Sequence, residues 1–162
     1  MDAKADAIGK TEVFIREPVD SDFSEWRVLW DEYLAFYETS RSESDTLSLW
    51  QRFFDAGDPI ECLVADVDGH VVGITHYLPH ADTFDERPIC YLSDLYVDSS
   101  ARGQGIATLL IRAVEQRSKD QGWSSVYWQT AEDNKQARTL YDKITGGFGG
   151  FIIYELELDK PV

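Results

Sequence analysis

The sequence predicts an α+β domain built on a mixed, mostly antiparallel sheet flanked by helices. Three observations lead to this prediction: a hairpin of two strands in the middle of the chain, a later strand-helix-strand crossover, and a long aromatic helix before both. The chain has 162 residues, of which 43% are hydrophobic and 13% aromatic, a composition that suits one globular core. We therefore expect a single domain over residues 1–162, with residues 1–10 flexible.

The first part of the chain predicts a short strand and an amphipathic helix. Residues 12–16 have the composition of a strand, which ends before Pro18. Asp20 and Ser21 then follow as candidate helix N-caps. Large apolar residues recur at helical spacing over 23–37, which predicts a helix with one aromatic face.

The middle of the chain predicts a second helix and a β-hairpin. A polar stretch at 38–45 leads into the helix. Two apolar-rich runs, 60–67 and 70–78, flank Asp68-Gly69, and an Asp-Gly pair supplies the positive φ angles of a tight hairpin turn. The two runs are therefore predicted to be antiparallel neighbours. The buried side of the helix is expected to contain Leu47, Trp50, Phe53 and Phe54.

The remaining elements are predicted to alternate between strand and helix. Gly122 is expected at the C′ position of the long helix, and Asp133 with Gln136 at the capping box of the short one. The predicted order is β-α-α-β-β-β-α-β-α-β, which excludes a regular doubly wound nucleotide fold. The predicted bounds are a strand at 89–97, a helix at 105–121, a strand at 125–130, a short helix after Asp133 and a last strand at 151–158.

The net charge, the first ten residues and the cysteines indicate which partners and which cellular location to expect. Fifteen Lys and Arg stand against thirty Asp and Glu, a formal net charge of −15. Such a surface repels nucleic acid and anionic lipid and attracts cations such as amines, although an acidic surplus is also common on solvated surfaces. Residues 1–10 contain no apolar signal region. We expect a cytoplasmic protein with no nucleic-acid or membrane partner, in which Cys62 and Cys90 are reduced core residues.

A glycine-punctuated turn joins the strand 89–97 to the long helix. Gly103 and Gly105 permit backbone conformations closed to other residues, and the helix start directs amide N–H groups and the positive end of its dipole outward. Arg102 adds a positive charge. An ordinary strand-to-helix turn is the alternative. A P-loop requires Gly-Lys-Ser/Thr and a dinucleotide fingerprint requires a glycine where Thr108 stands, so neither motif fits.

The run Arg102-Gly103-Gln104-Gly105-Ile106-Ala107 matches the pattern Arg/Gln-x-x-Gly-x-Gly/Ala and resembles the pyrophosphate-binding motif of the GNAT superfamily of N-acetyltransferases. The resemblance extends to Leu95-Tyr96-Val97, Asn134 and Leu140-Tyr141, and within the superfamily it is similar to the polyamine and histone acetyltransferase branch. It implies a GNAT-like fold with a V-shaped cleft for acetyl-CoA, the acetyl donor. It also implies direct transfer of the acetyl group to a primary amine, and a homodimer.

The resemblance implies a role for each part of the motif. The turn would bind the pyrophosphate. The strand before it would splay from its neighbour at a bulge, which frees the amides of Leu95 and Val97 for the pantetheine arm and the thioester carbonyl. Asn134 would contact the cofactor, with helix N-capping as the alternative. The expected cofactor-binding residues are Leu95, Tyr96, Val97, Arg102, Gly103, Gln104, Gly105, Ile106, Ala107 and Asn134.

The resemblance also indicates catalytic residues. Tyr141 is expected to be the general acid, because a phenol of pKa ~10 protonates a departing thiolate without ionising at neutral pH; core packing is its alternative. Asp94 is the expected base, with a purely structural carboxylate as its alternative. Ser93 stands where polyamine acetyltransferases often carry a carboxylate. Glu132 and Glu38 are alternate bases, and the expected substrate-binding residues are Tyr33, Tyr37, Glu38, Ser93 and Glu132.

Three functions are compatible with the sequence. The first is an acetyltransferase for a small cationic amine or polyamine, and the second is one for protein lysines or N-termini. The third, from another class, is a non-catalytic acyl-CoA-binding module. His70, His76 and His80 show no metal-ligand spacing and are predicted to be structural or exposed, so no metal is expected.

Overall fold

A five-stranded sheet forms the centre of the first part of the chain. The computed structural model describes residues 11–158, so the predicted flexible segment 1–10 lies outside the described residues. The chain divides into two compact units, one up to Gln129 and one from Thr130 on. The strands are β1 (Val13–Arg16), β2 (Glu61–Val67), β3 (His70–His80), β4 (Ile89–Val97) and β5 (Val126–Tyr127).

The strands lie in the spatial order β1-β2-β3-β4-β5. The first four pair antiparallel, and β5 pairs parallel to β4, which gives the predicted mixed sheet. Asp68 and Gly69 join β2 to β3 with φ angles of 53° and 83°. Positive φ at both positions is the requirement of a tight hairpin turn, so the prediction from the Asp-Gly pair is confirmed.

Helices cover both faces of this sheet. The helices are α1 (Phe23–Phe36), α2 (Glu43–Arg52) and α3 (Ile106–Asp120), with α4 (Lys135–Thr145) in the second unit. Trp26 and Trp30 of α1 and Trp50 of α2 pack with Ile74 on one face. Ile106 and Leu110 of α3 pack on the other face, with Ala65 and Val97. The aromatic face predicted for the first helix is thus mainly core.

A β-bulge in β4 decides which side chains face which layer. His76 pairs with Asp94 and Tyr77 pairs with Leu92, so Ser93 is an extra residue without a partner on β3. Side chains alternate strictly along a regular strand, and one extra residue reverses the alternation. Leu95 accordingly packs in the α3 layer, and Asp94 faces the α1 layer.

Several helix boundaries differ from the prediction. A 3₁₀ turn, Asp20–Asp22, precedes α1, and neither predicted N-cap serves the helix because Asp22 takes the cap position and its carboxylate binds Arg16. Phe54, expected on the buried side of α2, lies beyond its end and is exposed. Asn134, not Asp133, caps α4 and accepts from the amide of Ala137.

The predicted last strand, 151–158, is absent: these residues are described, but none belongs to a strand. Alternating apolar residues indicate a chain that can bury one face, but they do not supply the neighbour that a strand requires. The consequence is a row of exposed apolar side chains, Phe151, Ile152, Ile153, Tyr154, Leu156 and Leu158, each at least 65% exposed.

Candidate active site

The edge of β4 beyond Tyr91 is open towards β5. The two strands pair at Cys90 and Tyr91 only, and no β5 residue of the described chain pairs further along. The backbone N–H of Asp98 donates to the carbonyl of Val72 on β3 at 2.8 Å. Because antiparallel bonding alternates from residue to residue, the N–H groups of Leu95 and Val97 point away from β3. The bulge and the splayed strand predicted from the sequence are therefore present, and two amides face the open edge.

The turn after β4 has the backbone geometry of an anion site. Gly103 and Gly105 have φ angles of 76° and 79°, and a Cβ at either would meet nothing within 4 Å, so it is the backbone conformation that favours glycine here. Gly105 is the N-cap of α3, and the first turn of a helix leaves its amides without helical acceptors. The amides of Ile106 and Ala107 are therefore available, at the positive end of the dipole.

Arg102 is fixed next to this turn. Its Nε donates to the carbonyl of Val97 at 3.1 Å, and its guanidinium carbon lies 5.4 Å from the centre of the Tyr96 ring. The side chains of Arg102 and Gln104 are exposed. The outward-facing amides and the Arg102 guanidinium are hydrogen-bond donors that suit a diphosphate, and the two positive-φ glycines allow the backbone conformation that presents the amides. The residues of this turn therefore fit the predicted pyrophosphate group.

Asp94 lies at the end of a hydrogen-bonded chain on the α1 side of the sheet. His76 Nδ1 lies 3.0 Å from Asp94 Oδ2, and the hydroxyls of Tyr33 and Ser93 are near enough to this carboxylate to lower its pKa. Burial would raise the pKa of Asp94, but the hydrogen bond and the charge interaction with His76, followed by the hydroxyls of Tyr33 and Ser93, outweigh it and lower the pKa below its usual value. Asp94 is therefore ionised at neutral pH.

Tyrosine rings surround this carboxylate. The ring centres of Tyr33 and Tyr37 are 5.0 Å apart, and those of Tyr91 and Tyr127 are 5.2 Å apart. Burial, followed by the negative charge of Asp94, raises the pKa values of Tyr33, Tyr37 and Tyr91. These phenols are therefore neutral, and each lies near enough to Asp94 for its pKa to respond to that charge.

Glu38 and Glu132 are the remaining predicted substrate residues. Glu38 is exposed just beyond α1 and has a φ of 54°, a conformation uncommon for a residue other than glycine. Glu132 is exposed in the second unit, where its carbonyl accepts from Arg138. The geometry thus brings together Tyr33, Tyr37, Ser93 and Asp94. Within the described residues, no side-chain hydrogen bond connects Glu38 to this group.

The second unit carries two predicted site residues on α4. Asn134 Oδ1 accepts from the amide of Ala137 at 3.3 Å, and its Nδ2 lies 3.4 Å from the hydroxyl oxygen of Thr130. The capping alternative for Asn134 is therefore present in the structure. Tyr141 is half-buried, as are its neighbours on the apolar stripe of α4. Their roles towards acetyl-CoA and the thiolate remain predictions.

Sequence reasoning missed the groups behind Asp94. The sequence predicts His76 to be structural or exposed, and it is buried as a structural histidine would be, but its contact with the expected catalytic carboxylate was not predicted. A signal existed, because His76 and Asp94 lie on adjacent predicted strands, but without the bulge the register places them incorrectly.

Among residues 11–158, no group of three or more His, Cys, Asp or Glu is placed to hold a metal ion. No helix within this range has the length and apolar character needed to cross a bilayer.

Comparisons with known proteins agree with this geometry. The Acetyltransferase (GNAT) family matches residues 26–146. A D-amino-acid N-acetyltransferase of Saccharomyces cerevisiae is 33% identical over 130 residues, 79% of this chain and 80% of the yeast protein. N-acetyltransferase 8F1 of Rattus norvegicus is 35% identical over 112 residues, 69% of this chain but only 48% of the rat protein.

Solved structures share the fold. The aminoglycoside N-acetyltransferase AAC(6')-Iy in complex with CoA superposes with a TM-score of 0.79 at 18% identity, covering 93% of this chain and 98% of that one. The family match covers the strands β2 to β5, with the open β4 edge, and the helix α4. The chain therefore belongs to the GNAT family and is an acetyl-CoA-dependent N-acetyltransferase.

Proposed function

We propose that this enzyme acetylates a small cationic amine, with a polyamine as the first candidate. The observation that carries the proposal is the ionised Asp94 with Tyr33, Tyr37 and Tyr91 around it. A carboxylate attracts an ammonium ion, and tyrosine ring faces add cation–π attraction of about 0.5–2 kcal/mol each, depending on desolvation. The net charge of −15 raises the local concentration of cations in the same direction.

The proposed reaction is direct transfer. The amine receives its orientation from Asp94, which is the first acceptor of its proton, and the nitrogen then attacks the thioester carbonyl of acetyl-CoA. The C–N bond forms and the C–S bond breaks, and the thiolate takes a proton from Tyr141. The nitrogen then releases its second proton, which restores the Tyr141 phenol by way of solvent, and Asp94 returns the first proton to solvent. Tyr141 is assigned this part by the family resemblance and by its chemistry as a phenol. The products are an N-acetyl amine and CoA.

The proposed acetyl-CoA site uses main-chain donors. The turn 102–107 would bind the pyrophosphate and the amides of Leu95 and Val97 the pantetheine arm and thioester carbonyl. The family resemblance assigns Asn134 a contact with the cofactor. We also propose that residues 1–162 act as one catalytic domain, because the family match at 26–146 runs through both compact units.

A panel of acceptors tests the substrate class. Thiol release from acetyl-CoA should be measured with spermidine, a D-amino acid and a basic peptide, and we expect the highest kcat/KM with spermidine. The yeast relative makes a D-amino acid the second candidate, since an amino acid also offers a primary amine. Activity confined to the peptide would overturn the proposal. Tight acetyl-CoA binding without turnover of any amine would instead support the non-catalytic module.

Tyr141→Phe tests the general acid. The variant keeps the ring and loses only the hydroxyl, so we expect kcat to fall about 10–100-fold with the KM of acetyl-CoA nearly unchanged. The loss should shrink when the leaving group is a more acidic thiol, because such a thiolate departs without a proton. An unchanged kcat would remove Tyr141 from the mechanism and leave it a packing residue.

We further propose that the enzyme is a homodimer that uses its C-terminal segment. Residues 151–158 alternate like a strand, expose six large apolar side chains, and lack a strand partner within the described chain. Exposed apolar runs of this kind mark association surfaces. Ending the chain after Gly150 should convert a dimer into a monomer in sedimentation velocity. A full-length chain that sediments as a monomer at all concentrations would contradict the proposal.

A further inference from the structure

The histidine behind Asp94 is held from both sides. His76 lies on β3 opposite Asp94 and is only 2% exposed. Its Nδ1 lies 3.0 Å from Asp94 Oδ2, and its Nε2 lies 3.0 Å from Nε1 of Trp26, a residue with no exposed surface. Each ring nitrogen therefore has one partner, and the two partners are chemically different.

The partner on Nε2 fixes the tautomer. An indole N–H donates and cannot accept, so His76 Nε2 must be the acceptor in the bond with Trp26. The single proton of the neutral imidazole is then on Nδ1, from which it is donated to Asp94. A second proton on Nε2 would set two N–H donors against each other in a buried position, which costs the desolvation of both. The bond with Trp26 thus opposes protonation of His76.

The apolar surroundings of the His76 ring favour its neutral form, the charge of Asp94 favours the protonated form, and the N–H donor at Nε2 decides for the neutral ring. The rings of Trp30 and Phe53 lie 5.2 Å and 4.9 Å from it. The titratable groups facing it are Asp94 from β4, Cys62 from β2 and Tyr33 from α1. Cys62 and Tyr33 are neutral, because burial raises the pKa of each. Asp94 is the single ionised group of the three.

We propose that His76, locked by Trp26 as a neutral Nδ1–H donor, is a positioning residue that orients Asp94 without cancelling its charge. An imidazolium at this point would form a neutral pair with the carboxylate and remove the attraction for an ammonium ion. A neutral donor fixes the carboxylate and leaves its full negative charge for the acceptor. This inference rests on the proposed role of Asp94 in binding the amine.

Two substitutions at His76 separate orientation from packing. The amide nitrogen of His76→Asn lies near the position of Nδ1 and still donates, whereas His76→Leu fills the space without a donor. We expect His76→Leu to raise the acceptor KM about tenfold or more and to leave the acetyl-CoA KM within about twofold. His76→Asn should retain most of the wild-type acceptor KM. Equal impairment of both variants, or an unchanged acceptor KM in His76→Leu, would overturn the inference.

A spectroscopic measurement on the unmodified protein needs neither activity nor a variant that folds. Imidazole 15N NMR should find His76 as the neutral Nδ1–H tautomer at neutral pH. His70 is the internal control, because its exposed ring has a pKa raised by Glu25 and must titrate. An Nε2–H or doubly protonated His76 in the wild type would overturn the inference.

The kinetic measurements and the NMR measurement together distinguish failure of the inference about His76 from failure of the proposed function. If no amine is acetylated but His76 is a neutral Nδ1–H donor to an ionised Asp94, the proposed function fails and the electrostatic device stands. If spermidine is acetylated and His76 is protonated, the inference fails alone.

Discussion

Asp94→Asn is expected to lower kcat/KM for a cationic acceptor by between about 100-fold and 10 000-fold. The substitution preserves the size and shape of the side chain. It removes the negative charge that attracts the ammonium ion and the carboxylate oxygen that accepts its proton. The acceptor KM should rise, and the acetyl-CoA KM should stay within about twofold, because the turn 102–107 is untouched. Steady-state kinetics with each substrate varied in turn measures both effects.

An arylamine acceptor provides the control for Asp94→Asn. Such an amine is uncharged at neutral pH, so it needs neither charge attraction nor proton removal before attack, and the loss should be much smaller. Equal losses for the charged and uncharged amines would contradict the anchoring role.

Because the pKa of Asp94 is lowered, the carboxylate remains ionised across the neutral range and the wild-type rate falls only when the pH drops through that lowered pKa.

Gly105→Val is expected to abolish most acetyl-CoA binding. A β-branched residue at a φ of 79° costs about 1–2 kcal/mol or more, so the turn would abandon this conformation and the amides of Ile106 and Ala107 would lose their common direction. We expect Kd for acetyl-CoA to rise at least about tenfold, measured by isothermal titration calorimetry.

Gly69→Val is the matched control. Gly69 also has a positive φ, of 83°, and open space around its Cβ, but it lies in the β2–β3 hairpin turn. Both variants should lower the thermal midpoint by similar amounts, and only Gly105→Val should lose acetyl-CoA. A loss of the same size in Gly69→Val would show that general destabilisation, and not the turn, explains the effect.

Much of the fold could be predicted because local chemistry determines it. The Asp68-Gly69 hairpin, the strand 89–97 and the glycine start of α3 each depend on neighbouring residues, and each prediction was confirmed. The prediction of a C-terminal strand was wrong, because the alternation over 151–158 indicates which residues could be buried but not which neighbouring strand would bury them. The caps of α1 and α4 were shifted by one or two residues, because several polar residues compete for each cap.

The candidate site was predictable where it consists of a contiguous motif. The residues from Leu95 to Ala107 follow one another in the chain, so their spacing was visible without a structure. The contact from His76 to Asp94 joins two strands and depends on their register, which the bulge at Ser93 alters. The bond from Trp26 depends on how a helix packs on the sheet. Pattern reasoning from a single sequence has no access to either quantity.

The extra residue in β4 has a consequence for how this strand pairs. If Ser93 paired with His76 in an unbroken ladder, Asp94 would pair with Thr75 and turn towards the α3 layer, and the α1 layer would lose the carboxylate beside His76. No residue near Asp94 would have changed identity, yet the acidic group would be on the wrong side of the sheet. For this strand, keeping the register therefore matters as much as keeping the chemistry of the residues.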